Sequence, residues 1–184
     1  MRMISSEVFS ALRDLTVPMI VEKYLKFLVF SLMSNEEPTS DVKKISIDEF
    51  LHLTAWNDRG KGKFPGLIGL EILSIQHGYV LSQLKIRDEH LAPNGYLHAG
   101  VVVTLADTAC GYGCIYSKPS DAKSFTTIEL KSNFMGTVKP PAVIRCEARV
   151  LHAGRTTQVW DADVKDSEKN KIIAVFRCTE LILY

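Results

Sequence analysis

Between residues 142 and 152 the chain alternates: Ile144, Cys146, Ala148 and Val150 share one face, and Arg145, Glu147 and Arg149 share the other. A period of two is the mark of a strand with one buried face. Strand composition recurs over residues 67–75, 79–86, 125–134, 156–165 and 171–183, and the breaks are short: His77-Gly78, Gly154, and a polar cluster at 166–170. Between the second and third of these strands the pattern changes. Residues 98–116 predict a helix of about four turns, bounded by Pro93, Asn94 and Gly95 before it and by a polar stretch with Pro119 after it. Upstream, Ser46-Ile47-Asp48-Glu49 is a capping-box pattern that predicts a helix to about Asn57, followed by a breaker-rich loop over 59–66. The order is helix, two strands, one long helix, four strands. Hairpin-length links imply an antiparallel sheet, and its apolar face needs a cover that the long helix supplies. The predicted class is α+β.

Residues 1–45 read as an extension and linker before a single domain over 46–184. Residues 17–33 are apolar but interrupted by Glu22, Lys23 and Lys26, too short and too charged for a membrane span, and no small-residue cleavage site follows. Two readings stand: an amphipathic helix packed on the domain or a neighbour, or a true start at Met33, since 34–44 resembles an ordinary protein beginning.

Composition narrows the function. With 184 residues, 46% of them apolar, and a net charge of +1, the chain has material for a sizeable core and lacks the broad basic field of a nucleic-acid binder. Cys110, Cys114, Cys146 and Cys178 each sit among apolar residues and are expected to pack as small hydrophobes. No third ligand accompanies Cys110 and Cys114 at metal spacing, so no metal site is expected. Reduced thiols fit the cytoplasm.

The long helix carries the candidate chemistry. Val101, Val102, Val103, Leu105, Ala106, Ala109 and Cys110 run nearly all round it, as in a buried helix. Asp107 stands in the middle. An unpaired buried carboxylate costs several kcal/mol, on the order of the whole stability of a small domain. It is therefore either a structural acid held by Thr104 and Thr108, or a base or nucleophile of raised basicity in a dry cleft. Thr104, Asp107, Thr108 and Gly111 form a narrow stripe that can line such a cleft, with Gly111 admitting a second backbone. At the helix start, His98 and Ala99 coincide with unpaired N–H groups that favour an oxyanion, or His98 serves as a polar cap or a core histidine. The loop Pro93-Asn94-Gly95-Tyr96 can add a donor. His98 and Asp107 are nine residues apart, hence on opposite sides of one helix and roughly 13 Å apart along it. If both act on one carbonyl, the acid of one chain meets the helix start of another, and the active unit is a dimer. A G-x-S-x-G elbow and a P-loop are missing. Gly111-Tyr112-Gly113 lacks the third glycine of a dinucleotide site, since position 116 is tyrosine.

Asn94-Gly95-Tyr96-Leu97-His98-Ala99-Gly100 followed by Leu105-Ala106-Asp107-Thr108-Ala109 resembles the signature of hotdog-fold acyl-CoA thioesterases, nearest to the phenylacetate-degradation group. Thr127-Ile128-Glu129-Leu130, Asn133-Phe134 and Gly154-Arg155 are similar to later parts of the family pattern. The resemblance spans residues 64–183.

It implies a curved antiparallel sheet wrapped around one helix, homodimers or homotetramers with sites at the subunit interface, and hydrolysis of an acyl-CoA to acid and free CoA. No cofactor is implied beyond the CoA of the substrate, and neither nucleic acid nor a membrane span is involved. By resemblance Asp107 is the general base or nucleophile, Ala99 supplies the oxyanion N–H, His98 assists at the carbonyl, and Thr127 helps to hold the attacking water. Asn94, Gly95, Gly100 and Thr108 are expected to line the substrate; Arg155, Lys131 and Lys139 are either ordinary solvated surface charges or candidates to meet the CoA phosphates. Two departures stand out: Ala99 replaces the usual glycine after the histidine, and Ala92 occupies a position, two after His90, where some members carry asparagine. A non-catalytic acyl-CoA-binding protein and an enoyl- or hydroxyacyl-thioester hydratase are the alternatives.

Overall fold

The structure, a computed structural model, describes residues 47–184. The extension over 1–45, the segment 17–33, the question of Met33, the linker over 34–44 and the cap Ser46 lie outside the described residues.

Helix α1 (Ile47–Asp58) ends where the sequence predicts. The next stretch differs from expectation. Residues 64–68, placed in a loop and the start of a strand, form a short helix α2 (Phe64–Ile68), with Pro65 in its first turn and Gly69 closing it at φ 79°. Proline pre-sets the helical φ, and only a left-handed residue lets the last amide fold back on the carbonyls. Local cap chemistry overrides the apolar pattern there, and strand β1 begins at Glu71 rather than at Leu67.

Strands β1 (Glu71–Gln76), β2 (Tyr79–Ile86), β3 (Ser124–Phe134), β4 (Ala142–Ala153), β5 (Thr157–Asp166) and β6 (Ile172–Leu183) form one antiparallel sheet in the order β1-β2-β4-β5-β6-β3. Helix α3 (Ala99–Ser117) lies between β2 and β3 in the chain and packs against all six strands. It is long and apolar enough to cross a membrane by composition, but here it forms the core of the sheet's concave face. Leu105, Ala106, Ala109, Cys110 and Cys114 are fully buried against Val80, Leu84, Ile144, Cys146 and Trp160. The alternation in β4 holds in detail, with Ile144, Cys146 and Ala148 buried and Arg145 and Arg149 exposed.

Close approach sets two helix positions. A Cβ on Gly113 would sit 2.5 Å from the Trp160 ring, and one on Gly111 3.0 Å from the Phe125 ring. The neighbour at Gly111 is thus an aromatic side chain rather than the backbone expected from sequence. At one sheet edge the Asn57 amide closes two bonds with the backbone of Ile72, at 2.7 and 3.1 Å, and blunts β1 as an edge strand. Trp56 anchors α1 to α3 through Tyr112 and Tyr116. The opposite edge is β3, on which Ile128, Leu130 and Phe134 are exposed.

Candidate active site

Two parts of α3 build the site: its N-terminus, held by the preceding loop, and the acid at its centre. The loop before α3 closes on itself. Gly95 takes a left-handed φ of 77°, its N–H donates to Ala92 O, and Tyr96 N–H donates to the Asn94 side-chain oxygen. A 3-10 turn (Asp88–His90) precedes it. His90 is buried there, its Nδ1 accepts from Arg87 N–H, and its carbonyl accepts from His98 N–H at 2.9 Å. Burial, and then the Arg87 charge, hold the His90 ring below its usual pKa, so it is a neutral strut.

His98 caps α3: its Nδ1 accepts from Gly100 N–H at 2.9 Å. A neutral ring that accepts at Nδ1 carries its proton on Nε2, which makes that nitrogen a donor. Gly100 is spent on both sides, since its carbonyl accepts from Thr104 Oγ1 at 2.7 Å. The Ala99 N–H belongs to the orphan donors of the first turn and has no partner among the described residues. Helix start, Nε2–H and Ala99 N–H together form a place for negative charge.

Asp107 is half-buried on the same helix. Thr104, one of the hydroxyls that could hold it structurally, donates back to Gly100 instead, and Thr108 makes no hydrogen bond to it among the described residues. Its hydrogen bond comes from Thr127 Oγ1 on β3, which donates to Oδ1 at 3.4 Å. Burial pushes the Asp107 carboxyl up, and the Thr127 bond offsets part of that rise. One long hydroxyl bond returns about 1 kcal/mol, well short of the several that desolvation costs. The result is a carboxylate of raised basicity.

Thr127 immediately precedes a β-bulge at Ile128, the kind of irregularity that re-aims a side chain. Across the β3–β6 ladder it faces Glu180, a residue the sequence reading missed. Glu180 is fully buried. The signal was present: Phe176, Cys178, Glu180 and Ile182 alternate onto the buried face of β6.

Arg155 stands apart from these groups, exposed on the β4–β5 turn, bonded to Asp121 at 3.3 Å and lying over the Tyr184 ring. Lys131 is exposed on β3. Lys139 lies 5.2 Å from the ring centre of Tyr96, which brings a cation to the loop that precedes α3. All four cysteines are free and buried, with the thiols of Cys114 and Cys146 pushed up to about 12 by burial. They pack as the sequence predicts and are chemically quiet. A cleft lined by Thr137, Val138, Lys139, Pro141, Asp166 and Lys169 contains none of Asp107, His98 or Thr127.

Comparison with known proteins gives this arrangement a family. Residues 94–173 match the thioesterase superfamily, a span that opens on the loop before α3 and takes in Asp107 and Thr127. A 1,4-dihydroxy-2-naphthoyl-CoA hydrolase of Listeria monocytogenes is 35% identical over 112 residues, 61% of this chain and 89% of that one. The acyl-coenzyme A thioesterase PaaI of Escherichia coli is 28% identical over 111 residues, 60% of this chain and 75% of its own. In fold, a mutant thioesterase of Pseudomonas aeruginosa superposes with a TM-score of 0.67 at 22% identity, covering 71% of this chain and 93% of that one. The chain belongs to the hotdog-fold thioesterase superfamily, beside the phenylacetate-degradation thioesterases, and is a thioester hydrolase.

Proposed function

We propose that the substrate is an acyl-CoA, that Asp107 is the general base or nucleophile, and that the start of α3 is the oxyanion site. The observation that carries this is the half-buried carboxylate in the core helix, unpaired with any cation and bonded to Thr127 alone among the described residues. In the general-base route, Asp107 takes a proton from water as the water oxygen bonds to the acyl carbon. The carbonyl oxygen gains the negative charge and is met by Ala99 N–H and His98 Nε2–H. The charge returns, the C–S bond breaks, and the CoA thiolate leaves and takes up a proton. In the nucleophilic route the carboxylate itself attacks the acyl carbon, the C–S bond breaks as the CoA thiolate leaves and takes up a proton, and water cleaves the resulting anhydride to the free acid and the Asp107 carboxylate. Single turnover in labelled water separates the routes: label in the protein carboxyl marks the anhydride.

Two features support a shared site. His98 and Asp107 leave one helix on opposite sides, and β3, which carries Thr127, is an edge strand with exposed Ile128, Leu130 and Phe134. The proposed active unit is therefore at least a homodimer, with Lys139 near the helix start a better-placed partner for CoA phosphates than Arg155. The reduced cysteines fit a cytoplasmic setting. Residues 46–184 are taken as the catalytic unit, with 1–45 as an extension to it.

The test is thiol release from short-chain, long-chain and aromatic acyl-CoAs, wild type against Asp107→Asn. The expected loss is roughly a hundredfold or more, the scale of a positioned base. Equal rates defeat the assignment and favour a non-catalytic binder or a different reaction on the same thioester.

A further inference from the structure

The turn between α1 and α2 carries a charged and apolar knob that the hydrolytic scheme does not use. Residues 59–67 hold Arg59, Lys61 and Lys63, whereas the 22 basic and 21 acidic residues of the whole chain nearly cancel. All three side chains are exposed. Arg59 lies over the Trp56 ring at 4.8 Å, and Lys61 pairs with Asp58 at 2.7 Å. Lys63 has no ion-pair partner among the described residues. Arg87 adds a fourth cation: its guanidinium donates to Leu67 O at 3.2 Å and is faced by Glu89 at 3.8 Å. On α2 itself, Phe64 is 59% and Leu67 74% exposed. They are three residues apart, hence neighbours on one side of the helical turn.

The knob is held in one shape by its own backbone. Gly60 O accepts from Lys63 N–H at 3.0 Å and from Gly66 N–H at 3.1 Å. A Cβ on Gly66 would sit 2.2 Å from that same oxygen, so the crossing requires glycine. Beneath it Ile68 is buried in the core. The Arg87 guanidinium also reaches His90 Nε2 at 3.2 Å, and the His90 carbonyl accepts from His98 N–H. The base of the knob is thus tied to the loop that sets the start of α3. A preformed shape binds without a further ordering cost.

The side chains define the partner. Protein interfaces favour Tyr, Trp and Arg and are poor in Lys. Lysines around a protruding Phe and Leu suit the boundary of a bilayer instead, where apolar tips enter the acyl region and ammonium groups stay at the headgroups. Anionic headgroups complement the sign of the cluster. We infer that residues 59–67 dock the protein peripherally on an anionic lipid surface, with Phe64 and Leu67 inserted and Lys61 and Lys63 at the lipid phosphates. This docking does not depend on which thioester is hydrolysed.

Co-sedimentation of the full chain with vesicles tests it. Vesicles of phosphatidylcholine alone are compared with vesicles in which a third of the lipid is phosphatidylglycerol, and circular dichroism confirms that each variant is folded. Wild type is expected to bind the mixed vesicles roughly tenfold or more tightly than the neutral ones, and to lose that margin at high salt. Lys61→Gln/Lys63→Gln is expected to weaken binding to the mixed vesicles by roughly fivefold per lysine. Phe64→Ser/Leu67→Ser is expected to weaken it by roughly tenfold or more. No binding to either vesicle, equal binding to both, or unchanged binding in either folded pair overturns the inference. So does a Phe64→Ser/Leu67→Ser protein that keeps its vesicle binding and shows a smaller mass in light scattering, because the patch then meets a second copy of the chain. Should that pair not fold, the lysine pair decides alone, and wild-type binding in it overturns the inference.

Discussion

Thr127 Oγ1 donates to Asp107 Oδ1 at 3.4 Å, and this bond joins the edge strand β3 to the middle of the core helix. It stabilises the ionised acid against a burial that works the other way. A general base acts in its ionised form, so activity is lost as pH falls through its pKa. Removing the bond in Thr127→Val takes away the lowering influence and leaves burial unopposed. The acid limb of kcat/KM is expected to move to higher pH, and Thr127→Ser to keep the wild-type limb. A limb that stays in place, or moves down, means that Thr127 does not hold the reacting acid.

The same burial has a stability consequence of definite sign. The folded-state pKa of Asp107 lies above the unfolded value of about 3.9. Between those two values the folded chain binds more protons than the unfolded one, so stability falls as pH rises, and above both values the full cost is present. Asp107→Asn removes that cost. Its Tm is expected to exceed wild type near neutral pH, by roughly 2–4 °C per kcal/mol relieved in a chain of this size, and the gain is expected to vanish below the usual aspartate range. Thermal denaturation as a function of pH measures it. A less stable Asp107→Asn at neutral pH marks Asp107 as a structural acid.

His98 combines two roles that a pair of substitutions separates. Its Nδ1 caps α3 through Gly100 N–H, and the proposed contact with the thioester oxygen uses the other ring nitrogen. His98→Ala removes both and is expected to cost about 0.5–2 kcal/mol of stability as well as activity. His98→Asn restores a side-chain oxygen at the cap, so its Tm is expected near wild type while kcat/KM stays low. Full activity in His98→Asn confines His98 to capping.

Much of this arrangement was legible in the sequence, for reasons that differ between elements. Strands β4, β5 and β6 have turns set by local chemistry and one strongly buried face, so the period of two locates them within a residue or so. Helix α3 was equally plain because Asp107 interrupts an apolar surface and Pro93 and Pro119 bracket it. The start of β1 was not. There, Pro65 and Gly69 form a helix whose cap geometry outweighs the apolar run around Leu67. The turn that shapes the loop before α3, in which the Asn94 oxygen accepts from Tyr96 N–H, is likewise not written in the spacing. Glu180 escaped notice because a charge in a strand reads as solvent-facing until its register is tied to Phe176 and Cys178. The contact from Thr127 to Asp107 joins residues twenty apart on different elements, and spacing along a chain carries no such information.

The edge strand offers a test of where the site is completed. β1 is blunted by Asn57, but β3 lies at the other end of the sheet with Ile128 56%, Leu130 45% and Phe134 47% exposed. Leu130 pairs with the buried Cys178, so beyond the bulge it belongs to the face that α3 covers elsewhere. A long edge strand with apolar side chains is a template for another strand, and contiguous apolar exposure marks an interface. Leu130→Glu places a charge in that patch without touching Asp107, His98 or Thr127. If a second copy pairs there and completes the site, Leu130→Glu is expected to shift the mass in light scattering to that of one chain. The far-ultraviolet spectrum should remain that of a folded protein, and thioesterase activity should fall together with the dimer fraction. Raising the protein concentration is expected to recover both in parallel. A single-chain Leu130→Glu protein with wild-type kcat shows that one helix suffices, and it rules out the opposed-helix site inferred from the positions of His98 and Asp107.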